Sequence, residues 1–392
     1  MTMFLPFYME DSKSQFKEEL KGSAEEKRHR ILWIDMARGF VVFYMVITLI
    51  FPDWFDENII TSFLFVHPPR EPGQWHLVDV GAPAFVFILG MLFSVTFKKH
   101  KARDGTKKAV LHMITRYGMV LLLGIFIIWA TYSDGFIYQT HDDWLDDGSQ
   151  ITVFAVDVIF VLGLVGFIGL PFVFLKPSHR IVVAYSFIML MLILCLLNDY
   201  TKIINFSVSS VHLGIYSAIF GYGAVQILGS AFGEYIIFNQ AQISNTIKKM
   251  IIMGGINVVI GFSLLWFPLT FLVALVLIAI GITFLGLIPF ILIDEKHKKK
   301  IGLLIAYGKN PFFTYIITAI PAAITYDLLI GTSNIPFTLI NLIIVLIIFG
   351  LITTILMFLY KREIYIPTMK VGAVAFIVLL VLVILLFQLD LL

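Results

Sequence analysis

The chain has 392 residues, of which 59% are hydrophobic and only 14% are Asp, Glu, Lys or Arg. Soluble globular proteins carry about 25% charged residues, so this composition excludes water as the main solvent of the fold. The formal net charge of +2 points to no class of partner, and the single cysteine, Cys195, excludes both an internal disulfide and a cysteine-rich metal site.

Apolar runs of about 18 to 25 residues recur along the chain, and each is long enough to cross a hydrocarbon core of about 30 Å as a helix. After a polar tail of residues 1–30 there are eleven such runs, at 31–51, 79–97, 109–130, 153–175, 180–197, 211–232, 248–266, 269–293, 302–325, 336–359 and 371–390. The seventh and eighth runs are separated only at Phe267 and Pro268, which requires a tight turn. We therefore predict an all-α polytopic membrane protein with about eleven transmembrane helices in one domain, residues 31–392.

The distribution of lysine and arginine predicts the orientation of these helices. The N-terminal tail and every second loop hold 23 of the 28 basic residues, and the segment 98–108 (KKHKARDGTKK) alone holds six. The opposite loops and the C-terminal end hold only Arg70 and Lys202. Since positive charge is retained on the cytoplasmic side, we expect the N-terminus in the cytoplasm and the C-terminus outside. Many transporters consist of two repeated halves with equal numbers of helices. An odd number of spans without an internal repeat therefore disfavours a transporter of that kind.

Charged residues inside apolar runs are costly and mark candidate functional sites. Asp35 and Arg38, in the sequence IDMARGF, stand three residues apart and so share one face of the first helix. They could pair with each other, or Arg38 could face a cytoplasmic cavity and bind an anionic group such as a phosphate. Arg116, near the cytoplasmic end of the third run, is either an orientation anchor or a second ligand of that anion.

The loop before the second run holds the candidate proton-transfer residues His67 and His76, followed by Asp79. Histidine is suited to proton transfer near neutral pH, and a neighbouring carboxylate can fix its tautomer and raise its basicity. If the second helix begins by residue 76, His76 and Asp79 share a face. The alternative is a loop histidine without a chemical role, beside the interfacial Trp75.

Further polar residues lie in later runs. Asp157 and His212 lie at similar depth near the outer ends of the fourth and sixth runs, where they line a polar cavity or meet a neighbouring helix and the interface. The ninth run is interrupted at Asn310 and Pro311, because proline removes a backbone donor and frees the carbonyl four residues earlier. This break is either a packing kink or a cavity lined by the Asn310 amide, with Tyr315 one turn further on.

Several function classes lack their motifs in this sequence. The acidic segment HDDWLDDGSQ does not have the spacing of an EF-hand loop, and we interpret it as a solvated loop. Walker A, zinc-binding and nucleophile-elbow motifs are absent, as are nucleic-acid-binding modules. We therefore expect neither a metal nor a nucleic-acid partner.

Three segments resemble landmarks of the heparan-α-glucosaminide N-acetyltransferase-like family of transmembrane acyltransferases. They are RILWIDMARGFVVFYMVI, DVGAPAFVFILGMLFS and YGKNPFFTYIIT. Weaker similarity runs between them, so the resemblance covers about residues 30–330. It implies an eleven-helix architecture and transfer of an acetyl group from cytoplasmic acetyl-CoA to a sugar amine or hydroxyl on the far side, with a catalytic histidine just before the second helix.

The chain departs from the family pattern at that histidine. The family pattern is His-x-x-Trp-x-Gly-x-Thr-x-x-Asp, whereas this chain reads HPPREPGQWHLVD. His67 preserves the order of histidine, tryptophan and aspartate, while His76 is closer to Asp79. Both histidines therefore remain candidates, and the missing glycine and threonine leave the acceptor open.

We expect a membrane-bound, acetyl-CoA-dependent acyltransferase. His67 or His76 would act as general base or acyl carrier, oriented by Asp79, and Arg38, Arg116 and Asn310 would bind the donor. A transporter or flippase for a polar or lipid-linked solute and a non-catalytic membrane scaffold are the alternatives. The expected setting is the plasma (inner) membrane of a prokaryote, with membrane lipid, a sugar or glycan acceptor and a second copy of the chain as candidate partners.

Overall fold

A computed structural model describes residues 31–50, 63–64, 75–131, 137–140, 151–154, 158–201, 217–238, 243–267, 270–318 and 339–366. The helices in these ranges are α1 (Leu32–Ile50), α2 (Gly81–Asp104), α3 (Thr106–Thr131), α4 (Val158–Phe172), α5 (Pro177–Thr201), α6 (Gly223–Phe238), α7 (Ile243–Leu264), α8 (Phe271–Ile291), α9 (Gly302–Lys309) and α10 (Leu339–Lys361). A 3₁₀ turn, Leu77–Val80, leads into α2, and π-helical turns precede α6 (Ser217–Tyr222) and follow α8 (Leu292–Lys296).

The helices coincide with the predicted apolar runs. Ten of the eleven runs contain helix in the described part of the chain, and the eleventh, 371–390, lies outside it. Among the described residues, six helices are long and apolar enough to cross a membrane, and α4 is a shorter apolar helix. These are the features of an all-α membrane protein. The count of eleven crossings and the sides of the termini stay predictions.

The helix of the fourth apolar run begins later in the chain than hydropathy predicts. We expected helix from residue 153, but Ile151–Phe154 form a strand, β2, and α4 begins at Val158. This strand pairs antiparallel with β1, Ile137–Thr140, with Ile137 opposite Phe154. The prediction was wrong because three of the four residues of ITVF are β-branched and the fourth is aromatic. Such residues favour a strand when a partner segment is near.

Both predicted helix breaks are confirmed. The helix α7 ends at Leu264 and α8 begins at Phe271, and the two pack side by side in opposite directions. In the ninth run, α9 ends at Lys309, Asn310 leaves the helical conformation with φ −128° and ψ 54°, and helix resumes over residues 311–318. The ring of Pro311 explains this second break, since it offers no backbone donor to the preceding turn.

Basic residues gather at one end of the helices, which we call the basic face. There α1 meets the segment after α8, because the backbone N–H of Trp33 donates to Asp294 Oδ2 at 3.0 Å. The α2–α3 connection, the segment after α8 and the end of α10 all carry lysines or arginines at this end. We call the other end, where α2 begins at Gly81, the opposite face.

The helices α1 and α9 cross in backbone contact. A Cβ atom placed on Gly39 would overlap the carbonyl oxygen of Leu304, and one placed on Gly308 would overlap that of Asp35. Only glycine fits at both positions, as is usual where membrane helices approach closely. The IDMARGF and YGKNPFF segments therefore meet in the structure.

A second close pair joins α2 and α6, which run parallel. Ser94 Oγ donates to the carbonyl oxygen of Ser230 at 2.9 Å, and Lys98 Nζ, one turn later, donates to Glu234 one turn after Ser230. The equal spacing of the two contacts along both helices shows that they run in the same direction. This arrangement agrees with the alternation of the predicted spans.

Candidate functional site

Asp35 and Arg38 form the ion pair that their spacing predicted. Arg38 Nη2 donates to Asp35 Oδ1 at 2.9 Å, and both side chains are buried. The pair lies in the first two turns of α1, near the basic face, and the backbone of Gly308 packs directly on Asp35. A buried arginine held by a carboxylate is oriented for recognition of a further anionic group.

His76 and Asp79 lie together at the opposite face, around the 3₁₀ turn that starts α2. The backbone N–H of His76 donates to Asp79 Oδ2 at 3.1 Å, so the carboxylate fixes the backbone of the histidine segment. The imidazole ring lies against Phe63, with 5.7 Å between the ring centroids. Orientation of the imidazole itself by Asp79 stays a prediction.

Aromatic residues surround this pair. Trp75 packs edge-on against Phe63 and Phe262, with centroid distances of 5.1 and 5.5 Å. Tyr44 of α1 lies against Gly81, and the Asp79 carboxylate interacts electrostatically with the phenols of Tyr44 and Tyr222. The group places a carboxylate and an imidazole, the residue types suited to proton transfer, among aromatic rings.

Two predicted donor ligands do not join Arg38 in one cluster. The side chain of Asn310 is buried, and its amide accepts from the backbone N–H of Ile366 at 2.9 Å and donates to the carbonyl of Ile364 at 3.3 Å. These bonds tie the break after α9 to the segment after α10. Arg116 lies over the ring of Tyr117 at 5.7 Å on α3, which packs chiefly against α2 and α4, whereas α1 packs chiefly against α9 and α2.

A small apolar cavity lies between α1, α2, α4 and the helical residues 311–318. Its volume is about 20 Å³, which is room for one group the size of a water molecule or a methyl group. The wall includes Val42, Val46, Phe85, Leu162, Pro311 and Tyr315. Pro311 and Tyr315, which the sequence indicated as structural or cavity-lining residues, are both part of its wall.

Three other predicted site residues, His67, Asp157 and His212, lie outside the described residues, as does the acidic segment 141–150. Among the residues that are described, no group of three or more His, Cys, Asp and Glu could hold a metal ion.

The structure adds a buried ion network that the sequence analysis missed. Arg180, at the start of α5, has 0% exposed side chain and donates through Nη2 to Glu234 Oε2 on α6. The other Glu234 oxygen accepts from Lys98 Nζ, whose side chain is 34% exposed at the basic face. Arg180 Nη1 also donates to the carbonyl oxygen of Ser230 at 2.9 Å and to its hydroxyl at 3.0 Å.

Sequence reasoning had assigned the charges of this network to loops, where they served only to orient the helices. A usable signal was the recurrence of polar residues at every fourth position of α6, namely Gln226, Ser230 and Glu234. That spacing places them along one side of a helix that is otherwise apolar. All three are buried, so the polar side of α6 faces protein rather than lipid.

Comparison with known proteins adds no relative. No protein-family model matches the chain, and no curated protein matches it significantly.

Proposed function

We propose that this protein is a membrane-bound acyltransferase that moves an acetyl group from acetyl-CoA at the basic face to a sugar or glycan acceptor at the opposite face. The observation that carries the proposal is a contact among the three segments that resemble the acyltransferase family. The first segment forms α1, and the second and third both pack against it. Near the basic face the backbone carbonyl of Asp35 contacts Gly308 of the third segment, and near the opposite face Tyr44 contacts Gly81 of the second.

The donor side of the proposed reaction is the basic face. Acetyl-CoA carries several phosphate charges, and the exposed lysines of the α2–α3 connection would attract them before binding. Arg38 supplies a guanidinium that is already oriented by Asp35, and Arg116 on α3 would add a second cation. The proposal takes this face as cytoplasmic, where acetyl-CoA is made, in the plasma (inner) membrane of a prokaryote.

The acceptor side is the group of His76, Asp79 and the surrounding aromatic rings. In the proposed reaction the acceptor nitrogen or oxygen attacks the thioester carbonyl and the carbon–sulfur bond breaks. The histidine takes the acceptor proton and passes it to the departing sulfur, so that CoA leaves as the thiol. His67 is the alternative base. Asp79 supports either assignment because its carboxylate fixes the segment that starts α2.

The two sides lie within a short distance along α1. Six residues separate Arg38 from Tyr44, which is about 9 Å at the rise of an α-helix. An acyl donor that enters from the basic face therefore needs to cross only part of the membrane thickness to reach the acceptor group. This short span supports transfer through the protein over transport of the whole donor.

The test measures acetyl transfer by the purified protein reconstituted into lipid vesicles. With radiolabelled acetyl-CoA and a mixture of amino sugars, we expect labelled product, and we expect either His67→Ala or His76→Ala to reduce the rate by at least about 100-fold. His297→Ala is the matched control, since His297 is exposed at the basic face away from the acceptor group. Unchanged transfer in both histidine variants, or CoA-independent solute uptake without product, would overturn the proposal.

A further inference from the structure

The apolar cavity lies beyond Arg38 along α1, level with Tyr44 of the acceptor side. On α1 its wall begins at Val42, one turn after Arg38. On α2 it includes Phe85, six residues or about 9 Å along the helix from Asp79. An acyl group that reaches the acceptor side along α1 would therefore come level with this cavity.

The chemistry of the wall selects an apolar occupant. Of the residues that line the cavity, Tyr315 alone has a hydroxyl group, and the rest are aliphatic side chains, phenylalanines, one proline and the thioether of Met45. A cavity with so few polar partners does not hold a stable water molecule, whereas apolar cavities of this kind take up small apolar groups. The break at Asn310 lies beside this space, because Pro311, which follows it, is one of the lining residues.

The size of the cavity sets a limit on that occupant. A volume of about 20 Å³ is room for about one methyl group, so we expect a longer acyl chain to fit less well. The lining residues come from four separate segments: Val42 and Val46 from α1, Phe85 from α2, Leu162 from α4, and Pro311 from beyond the helix break.

We propose that this cavity holds the methyl end of the acyl group and makes the protein selective for acetyl over longer acyl donors. The inference rests on the proposed acyltransfer and adds the residues that determine chain length. Leu162 and Val42 form the end of the acyl site, and neither takes part in proton transfer or in binding the CoA phosphates.

The test compares acetyl-CoA with propionyl-CoA as donors. Wild type should prefer acetyl-CoA by about tenfold or more, the usual discrimination for one methylene in a packed pocket. Leu162→Ala should raise the propionyl-to-acetyl ratio of kcat/KM by about tenfold. Leu287→Ala, an equal truncation at a buried position of α8 outside the cavity, should leave the ratio unchanged.

Two further variants keep the test decisive if Leu162→Ala does not fold. Val42→Ala removes less volume and should shift the ratio in the same direction, and Val46→Leu should fill the space and slow acetyl transfer. A ratio that stays constant in the cavity variants while acetyl transfer persists overturns the inference and leaves the acyltransferase proposal intact. Absence of transfer from any acyl donor in wild type overturns the acyltransferase proposal instead.

Discussion

At the scale of single residues, the guanidinium of Arg180 is the clearest electrostatic constraint on the fold. It is fully removed from solvent, so protein groups must compensate its charge. Glu234 supplies the opposite charge, and the carbonyl and hydroxyl of Ser230 supply two further acceptors. The network thereby joins α5 to α6, while Lys98 attaches α2 to the same carboxylate.

We expect Glu234→Gln to destabilise the protein by about 3 kcal/mol, because it leaves a buried arginine without its counter-charge. The measurement is the midpoint of thermal unfolding in detergent. Glu295→Gln is the control, since Glu295 is only partly buried and pairs with the exposed Lys298. If the charge is the cause, the double variant Arg180→Met, Glu234→Leu should recover most of the loss; equal midpoints for Glu234→Gln and Glu295→Gln would contradict this account.

Local spacing decided which ion pairs could be predicted. Asp35 and Arg38 are three residues apart, so one helix brings them together whatever the rest of the fold does. Arg180 and Glu234 are 54 residues apart, on different helices, and each lies where an apolar run ends. Their meeting depends on how α5 packs against α6, which hydropathy and charge counts do not contain.

At the scale of elements, the crossing of α1 and α9 holds the charged end of α1 in position. The backbone contact at Gly39 and Gly308 brings the turn that carries Asp35 and Arg38 against the end of α9, directly before the break at Asn310. A side chain at either glycine would force the helices apart and move the ion pair with them.

We expect Gly308→Ala to cost about 1–3 kcal/mol in unfolding free energy, since the added methyl group overlaps the Asp35 carbonyl. The loss should appear as a lower thermal midpoint in detergent. Gly255→Ala on α7 is the control, because a methyl group there meets no atom within 4 Å and alanine favours helix. A midpoint for Gly308→Ala at or above that of Gly255→Ala would contradict the close crossing.

Some boundaries of helices and strands could be predicted from the sequence, and others could not. The breaks at residues 265–270 and at Asn310 were predictable because proline acts locally, on its own turn and the turn before it. The hairpin of β1 and β2 was not, since ITVF continues an apolar run and adopts a strand only when Ile137–Thr140 supplies its backbone partners. For the candidate site the same division applies: the histidine segment was found from its residue types, whereas the cavity beside Val42 arises from four packed segments.

At the scale of the whole molecule, basic segments that the sequence assigns to one side of the membrane lie at one end of the helices, the basic face. The lysine-rich α2–α3 connection lies at the same end as the start of α1 and the segment after α8. A single membrane surface can therefore contact all of these segments at once, as the retention of positive charge in the cytoplasm requires.

Cysteine labelling tests this orientation. In a Cys195→Ala background, we expect Lys107→Cys to react with a membrane-impermeant maleimide only after the cells are opened, and Asp143→Cys to react in intact cells. Solubilised protein should label at both positions, which controls for accessibility. Labelling of both cysteines from the same side would contradict the predicted alternation of loops.

The parallel pairing of α2 and α6 also has a consequence for how the chain is assembled. Ser94 and Lys98 emerge from the ribosome 136 residues before Ser230 and Glu234, their partners. At about 5–20 residues per second, synthesis of the intervening chain takes on the order of ten seconds. During that time α2 must remain in the membrane with its partner surface unmatched, while three further helices are inserted. The contact between α2 and α6 therefore forms late in synthesis. A nascent chain that stops before α6 leaves α2 without its native partner.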